Sequence, residues 1–265
     1  MSSVDTLYVV WQDPVSSRYF PVGRLRERGS ASDKVYEFVY TKGADVAKGN
    51  GFEPFLSFPD LDNEYRSANL FPFFANRLLS LSRDDYPEYI NQLGLSPTTA
   101  SAMEILARSG GRRVTDSIEL FAPPHIQESP DGKGRIFDYL FLVHGIRHMK
   151  ECSRLQTESY LRDGDPLFLV HDLQNAVDTQ ALLLRTDGYC CIGFVPRFLC
   201  EEIWNLFKQG ESTKITVAKV NSPPAPVQQR ILCKLTSVIR DHFVPCSADD
   251  FQPKGKAGSP LTVRN

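Results

Sequence analysis

Gly145-Ile146-Arg147-His148, then Asn175-Ala176-Val177-Asp178-Thr179-Gln180-Ala181-Leu182, then Ile192-Gly193-Phe194-Val195-Pro196-Arg197 stand in this order between positions 145 and 197. The apolar runs around them have strand lengths and strand patterning: 136–147, 166–171, 179–185, 190–195, 214–220 and 229–238. Pro196 opens an amphipathic helix over 197–209, which Gly210 closes. Several short strands with one helix predict a small, partly open β-barrel, a surface of the kind that oligonucleotide-binding folds offer. A module that holds the end of a nucleic-acid strand needs a cation for phosphate, a flat side chain for stacking and polar groups for the sugar. Arg147, His148, Asn175, Asp178 and Phe194 are residues of those kinds. An Asn-x-x-Asp pair beside a strand also serves as a turn device, its side chains bonding nearby backbone amides. Both readings of Asn175 and Asp178 stay open at this point.

The three motifs resemble the HIRAN domain, whose pattern runs Gly-hydrophobic-Arg-aromatic, Asn-Pro-x-Asp-x-x-Ala-hydrophobic and Gly-aromatic-hydrophobic-Pro-Arg. The resemblance implies an OB/SH3-like barrel over 135–246 that grips the 3′ end of single-stranded DNA. It implies a phosphate contact for Arg147, the place of a stacking aromatic for His148, and the terminal sugar for Asn175 and Asp178. Asp178 would accept a hydrogen bond from a free 3′ hydroxyl, which turns a strand binder into an end reader. This sequence departs from the pattern at Ala176, where the family has Pro, at Val177, where a stacking aromatic can stand, and at His148-Met149. One base stack is worth about 1–3 kcal/mol, a loss that Phe194 offsets in part. The alternative is a barrel kept for protein contacts.

Ahead of this region, 7–11, 18–25 and 35–40 alternate as strands, and Asn50-Gly51 with Pro54 and Pro59 marks an irregular connection. Phe74, Leu78 and Leu81 recur at helical spacing, and the helical signal runs from Asn69 through Asp84 to Leu93, ended by Gly94. A further helix is expected over 100–107 after Ser96-Pro97-Thr98, then a strand over 114–121. Val22-Gly23-Arg24-Leu25, Tyr36-Glu37-Phe38-Val39-Tyr40, Pro54 to Pro59, Phe71 to Leu79 and Leu106 to Gly111 together resemble the N-terminal subdomain of HipA-family toxin kinases. That resemblance implies a mixed α/β domain over 1–122 which docks on a separate HipA-type kinase, in an antitoxin-like role. The aromatic residues at helical spacing are expected to be core. The fold class is therefore α+β: a strand meander with helices, a linker at 123–134 rich in Pro, Gly and charge, the barrel domain, and a mobile tail over 247–265.

Composition narrows the function classes. Of 265 residues, 42% are hydrophobic and 23% charged, with net charge −2, the profile of a soluble globular protein. Residues 1–134 carry 14 basic and 18 acidic side chains, and 135–246 carry 13 and 12. A broad duplex-binding field is thereby excluded, and any nucleic-acid contact is expected to be local. No apolar run suits a membrane helix and no secretory signal is visible, so a cytoplasmic address with no membrane partner is expected. The six cysteines have no zinc-ligand spacing, and no cofactor is expected. A P-loop and the kinase catalytic motifs are both missing. His148 with Cys152 sits in a strand-to-loop segment that does not suit a nucleophile pair, so the chain is read as non-catalytic.

Overall fold

The computed structural model describes residues 4–30, 33–130, 132, 134–149, 161–208, 213–239, 243–254 and 261–262. In chain order the strands are β1 (Thr6–Gln12), β2 (Tyr19–Arg28), β3 (Val35–Tyr40), β4 (Glu64–Ser67), β5 (Ile118–Phe121), β6 (His125–Glu128) and β7 (Arg135–Leu142). They continue with β8 (Pro166–His171), β9 (Leu182–Arg185), β10 (Cys191–Phe194), β11 (Thr213–Val220), β12 (Ile231–Ile239) and β13 (Leu261–Thr262). The helices are α1 (Gly43–Lys48), α2 (Pro72–Ala75), α3 (Tyr86–Gln92), α4 (Ala102–Ser109) and α5 (Arg197–Lys208). Two compact units result, one of residues 1–86, 97–123 and 246–265, the other of residues 87–96 and 124–245.

The first unit is built on a six-stranded sheet in the order β13-β4-β3-β2-β1-β5, antiparallel except for the β13–β4 pair. Alternation along β2 and β3 sends Leu25, Phe38 and Tyr40 into the core. There Phe38 meets Phe58 with ring centroids 4.2 Å apart, and Phe58 meets Phe71 at 5.1 Å and Phe74 at 5.9 Å. All four rings are fully buried, and burying each is worth about 2–3 kcal/mol. Gly23 is obligatory at this packing, because a Cβ there would stand 2.6 Å from the Phe38 ring. The Tyr40 hydroxyl donates to the Phe58 carbonyl at 2.7 Å and accepts from the Phe55 amide at 2.7 Å. The irregular connection is thereby fixed to the sheet. Burial pushes the Tyr40 phenol well above its usual range, so it remains a donor at any physiological pH.

Local chemistry corrects the helical expectation over 69–93. Only α2 and α3 form, separated by turns. Ser80 Oγ accepts from the Ser82 amide at 3.3 Å, a local bond that competes with the helix ladder. The Arg77 side chain, 2% exposed, reaches instead to Asp116 at 2.6 Å and to the Gly111 carbonyl at 3.0 Å, over the face of Phe73. Leu81, counted on the apolar stripe, is 78% exposed. The next helix starts later than expected, at Ala102, because Ser101 and Glu104 form a capping box. Gly110, at φ +73°, ends it. The strand expected over 114–121 shortens to β5, with Val114 fully exposed.

The second unit holds a seven-stranded antiparallel sheet, β10-β9-β8-β11-β12-β7-β6, against which α5 packs Leu199, Cys200, Ile203 and Leu206. Its ladder does not close into the expected OB/SH3-like barrel. An isolated bridge links His144, just past β7, to Phe194 at the end of β10, with N···O distances of 2.9 and 2.8 Å. Two further expectations need correction. The 123–134 segment is not all linker, since β6 lies in it and pairs with β7. Residues 247–254, expected in the tail, pack on the first unit: Phe251 is buried edge-on to Tyr8 at 4.9 Å, and Lys254 pairs with Asp45 at 2.6 Å. Gln209 and Gly210, the expected helix end, lie outside the described residues.

Candidate nucleic-acid interface

The strand expected over 136–147 ends at Leu142, and Gly145 starts a 3-10 turn over Ile146–His148. At φ +68° Gly145 lies in the left-handed region, which a side chain disfavours. A Cβ at Gly145 would stand 3.1 Å from the Phe194 ring and 4.0 Å from the His148 ring, so the turn brings these two rings to one place. The Arg147 Nε donates to His148 Nε2 at 3.0 Å. Three of the five expected residues, Arg147, His148 and Phe194, therefore gather at this turn, with a cation and two flat rings among them.

Asn175 and Asp178 form a second group, in the loop between β8 and β9. The Asn175 Oδ1 accepts from the amides of Val177 at 3.0 Å and Asp178 at 2.9 Å, while its Nδ2 donates to Asp172 at 3.0 Å. Asn175 thus does the work of a turn residue, and its amide shapes the loop. The Asp178 Oδ1 accepts from the Gln180 amide at 3.0 Å, and its Oδ2 lies 3.1 Å from Arg197 Nε. Arg197 also donates to the Val177 carbonyl at 3.3 Å. Val177, in the place of a stacking aromatic, is 57% exposed at the loop surface.

Arg197, which is not among the five expected residues, contacts the Asp178 loop at both Asp178 and Val177. It lies three residues beyond Phe194, and three residues of chain span at most about 10–11 Å. The short stretch from Phe194 to Arg197 therefore joins the two groups: one end meets the Gly145 turn, the other end the Asp178 loop. The Pro-Arg that closes the third motif was its sequence signal. Trp204, on the same helix α5, donates from Nε1 to the Gln180 carbonyl at 3.1 Å, and its ring meets His171 edge-on at 4.7 Å. His171 Nε2 in turn contacts the Thr179 carbonyl at 2.7 Å. The loop is pinned at Val177, Thr179 and Gln180 by side chains that the sequence did not single out.

Cys200 is buried beneath the site with Sγ 3.7 Å from the Pro196 carbonyl, and burial pushes its thiol up to about 12. Cys233 is raised further for the same reason, so both are neutral thiols at physiological pH. Cys152, the other member of the His148 pair, lies outside the described residues. Among the described residues no group of His, Cys, Asp and Glu suits a metal ion, and no helix is long and apolar enough to cross a membrane.

Residues 136–239 match the family model of the HIRAN domain. Two solved structures are similar over 38% of the chain. One is a protein from Lactobacillus plantarum, 20% identical with a TM-score of 0.30 and 97% of its own length covered. The other is the HIRAN domain of human HLTF, 13% identical with a TM-score of 0.28 and 73% covered. No curated protein matches the chain. The HIRAN match lies within the second unit and takes in all three motifs.

Proposed function

We propose that the second unit binds the 3′ end of a single DNA strand, as its HIRAN likeness implies, and that the chain acts by binding and not by catalysis. The observation that carries this reading is the meeting of all three motifs along Phe194 to Arg197. Arg147 supplies the phosphate contact, the His148 and Phe194 rings supply flat faces, and Asp178, held by Arg197, supplies the acceptor for the terminal hydroxyl. Asn175 contributes by shaping the loop that presents Asp178. The seven-stranded sheet, with the isolated His144–Phe194 bridge between the segments after β7 and at the end of β10, is the scaffold. Fluorescence anisotropy with short labelled strands tests the reading. Wild type binds single strands with a free 3′ hydroxyl more tightly than blunt duplex, and Arg147→Ala weakens binding about tenfold at low salt, with a shallower salt dependence. Equal binding of strand and blunt duplex, or an unchanged Arg147→Ala protein, overturns it.

We further assign the first unit to docking on a separate HipA-type kinase, on the resemblance of its motifs alone. Phe71 and Phe74 are core residues, so the docking surface is made by other side chains. Full-length protein used as bait in its native host retains a kinase of that type; recovery of none rejects the assignment.

A further inference from the structure

The outer face of the first sheet concentrates positive charge that the chain's overall balance conceals. Arg24, Arg26 and Arg28 alternate along β2 and so project from one face, about 6.7 Å apart. The register places Val39 beside Arg24 and Glu37 beside Arg26, and on β4 it places Glu64 beside Val39 and Arg66 beside Glu37. These seven residues line a single surface depression. Its two carboxylates form their ion pairs with Arg28 and Arg66 of the same depression. Glu37 pairs with Arg28 at 2.6 Å and with Arg66 at 3.2 Å, and Glu64 pairs with Arg66 at 2.6 Å. Neither Arg24 nor Arg26 has an ion-pair partner among the described residues, and the Arg24 Nε is buried without an acceptor.

That arrangement is unfavourable in isolation. Burial, then the charges of Arg26 and Arg28, lower the Arg24 pKa from its ordinary value, so the folded chain holds this guanidinium against desolvation and like-charge repulsion. A buried, unsatisfied donor in a cluster of cations is relieved by an anionic acceptor. The guanidinium fork matches the oxygens of phosphate, and several forks around one depression suit a multiply charged oxyanion better than a single carboxylate.

We propose that the depression formed by Arg24, Arg26, Arg28 and Arg66 is a phosphate-binding site, separate from the strand-end interface and independent of the HIRAN reading. Its ligand chemistry is a run of phosphate oxyanions, supplied either by the backbone of a nucleic-acid strand or by a free oligophosphate. Arg24 and Arg26 make the principal contacts. Arg28 and Arg66, oriented by Glu37 and Glu64, close the rim.

Calorimetric titration of the full chain tests this with two probes, inorganic tripolyphosphate and an oligothymidine carrying hydroxyls at both ends. The variants are Arg26→Gln and the double variant Arg24→Gln/Arg26→Gln. Wild type binds tripolyphosphate with an affinity that falls steeply with salt, and the double variant loses at least tenfold, with the single variant between them. Folding is controlled by the thermal midpoint, which stays constant or rises in both variants because like charges are removed. If the double variant also binds oligothymidine less tightly, the strand backbone is the source. If oligothymidine binding is unaffected while tripolyphosphate binding is lost, the source is a free oligophosphate. Absence of tripolyphosphate binding to wild type at millimolar concentration, or equal binding by the double variant, overturns the site.

Discussion

Gly193→Ala destabilises the second unit by about 3 kcal/mol, the combined effect of a strained backbone and a forced displacement of packed atoms. At φ +143° Gly193 adopts a conformation that side chains rarely tolerate. A Cβ would also stand 2.4 Å from Val143 Cγ1 and 2.5 Å from the His144 carbonyl oxygen. The second clash is with backbone, so no rotamer change relieves it. It falls beside the His144–Phe194 bridge, and opening that bridge moves Phe194 away from the Gly145 turn. The measurement is urea unfolding followed by Trp204 fluorescence in a Trp11→Phe background, since one of the two tryptophans lies in each unit. With a denaturant dependence near 2 kcal/mol per molar, the midpoint falls by about 1.5 M. A fall below about 0.5 M shows that the sheet accommodates a side chain at Gly193 and that the bridge is not strictly held.

The same residues show how much the sequence could reveal. Ten of the strands were legible because period-two alternation, as in Tyr36 to Tyr40, is a direct consequence of pleating, with the bounds of β8 matching those expected, whereas the short β4, β6 and β13 carry too few alternating positions to show. The α5 helix was legible from Pro196 and its apolar stripe. The helical signal over 69–93 had the right spacing at Phe74, Leu78 and Leu81, yet only the short α2 and α3 form within it. What spacing cannot show is that Arg77 has a distant acceptor in Asp116, 39 positions on, or that Ser80 offers the backbone a local alternative. Pairing across the chain decides such segments, and a window of residues does not contain it. The candidate interface followed the same rule. Its residue types were visible in the motifs, but the Arg197–Asp178 pair joins residues from two motifs and emerged only with the fold. The arginine cluster on β2 was likewise hidden in a near-neutral count, and because the expected strand stopped at Leu25 only the longer β2 of the structure puts Arg24, Arg26 and Arg28 on one face.

Substitutions at Asp178 and Arg197 shift end preference in opposite directions, and this is the sharpest consequence of their ion pair. In wild type the pair is close to neutral overall, and the carboxylate retains lone pairs beyond those used by the Gln180 amide and Arg197. A terminal hydroxyl can donate to it, whereas a terminal phosphate brings oxygens that cannot. Asp178→Asn removes the negative charge and leaves the Arg197 guanidinium without that carboxylate, so a 3′ phosphate gains a cation and loses a repulsive neighbour. Arg197→Gln does the reverse, leaving the carboxylate without that cation, so the phosphate is repelled more strongly. Two unit charges about 6 Å apart at a partly solvated site interact by roughly 1–3 kcal/mol, and 1.4 kcal/mol is tenfold in affinity. The ratio of 3′-hydroxyl to 3′-phosphate affinity therefore falls about tenfold in Asp178→Asn and rises several-fold in Arg197→Gln, with matched oligothymidines measured by anisotropy at low salt. Loss of structure would weaken both ligands together and leave the ratio near its wild-type value. Ratios that move in the same direction, or fail to move in folded variants, reject Asp178 as the group that reads the strand end.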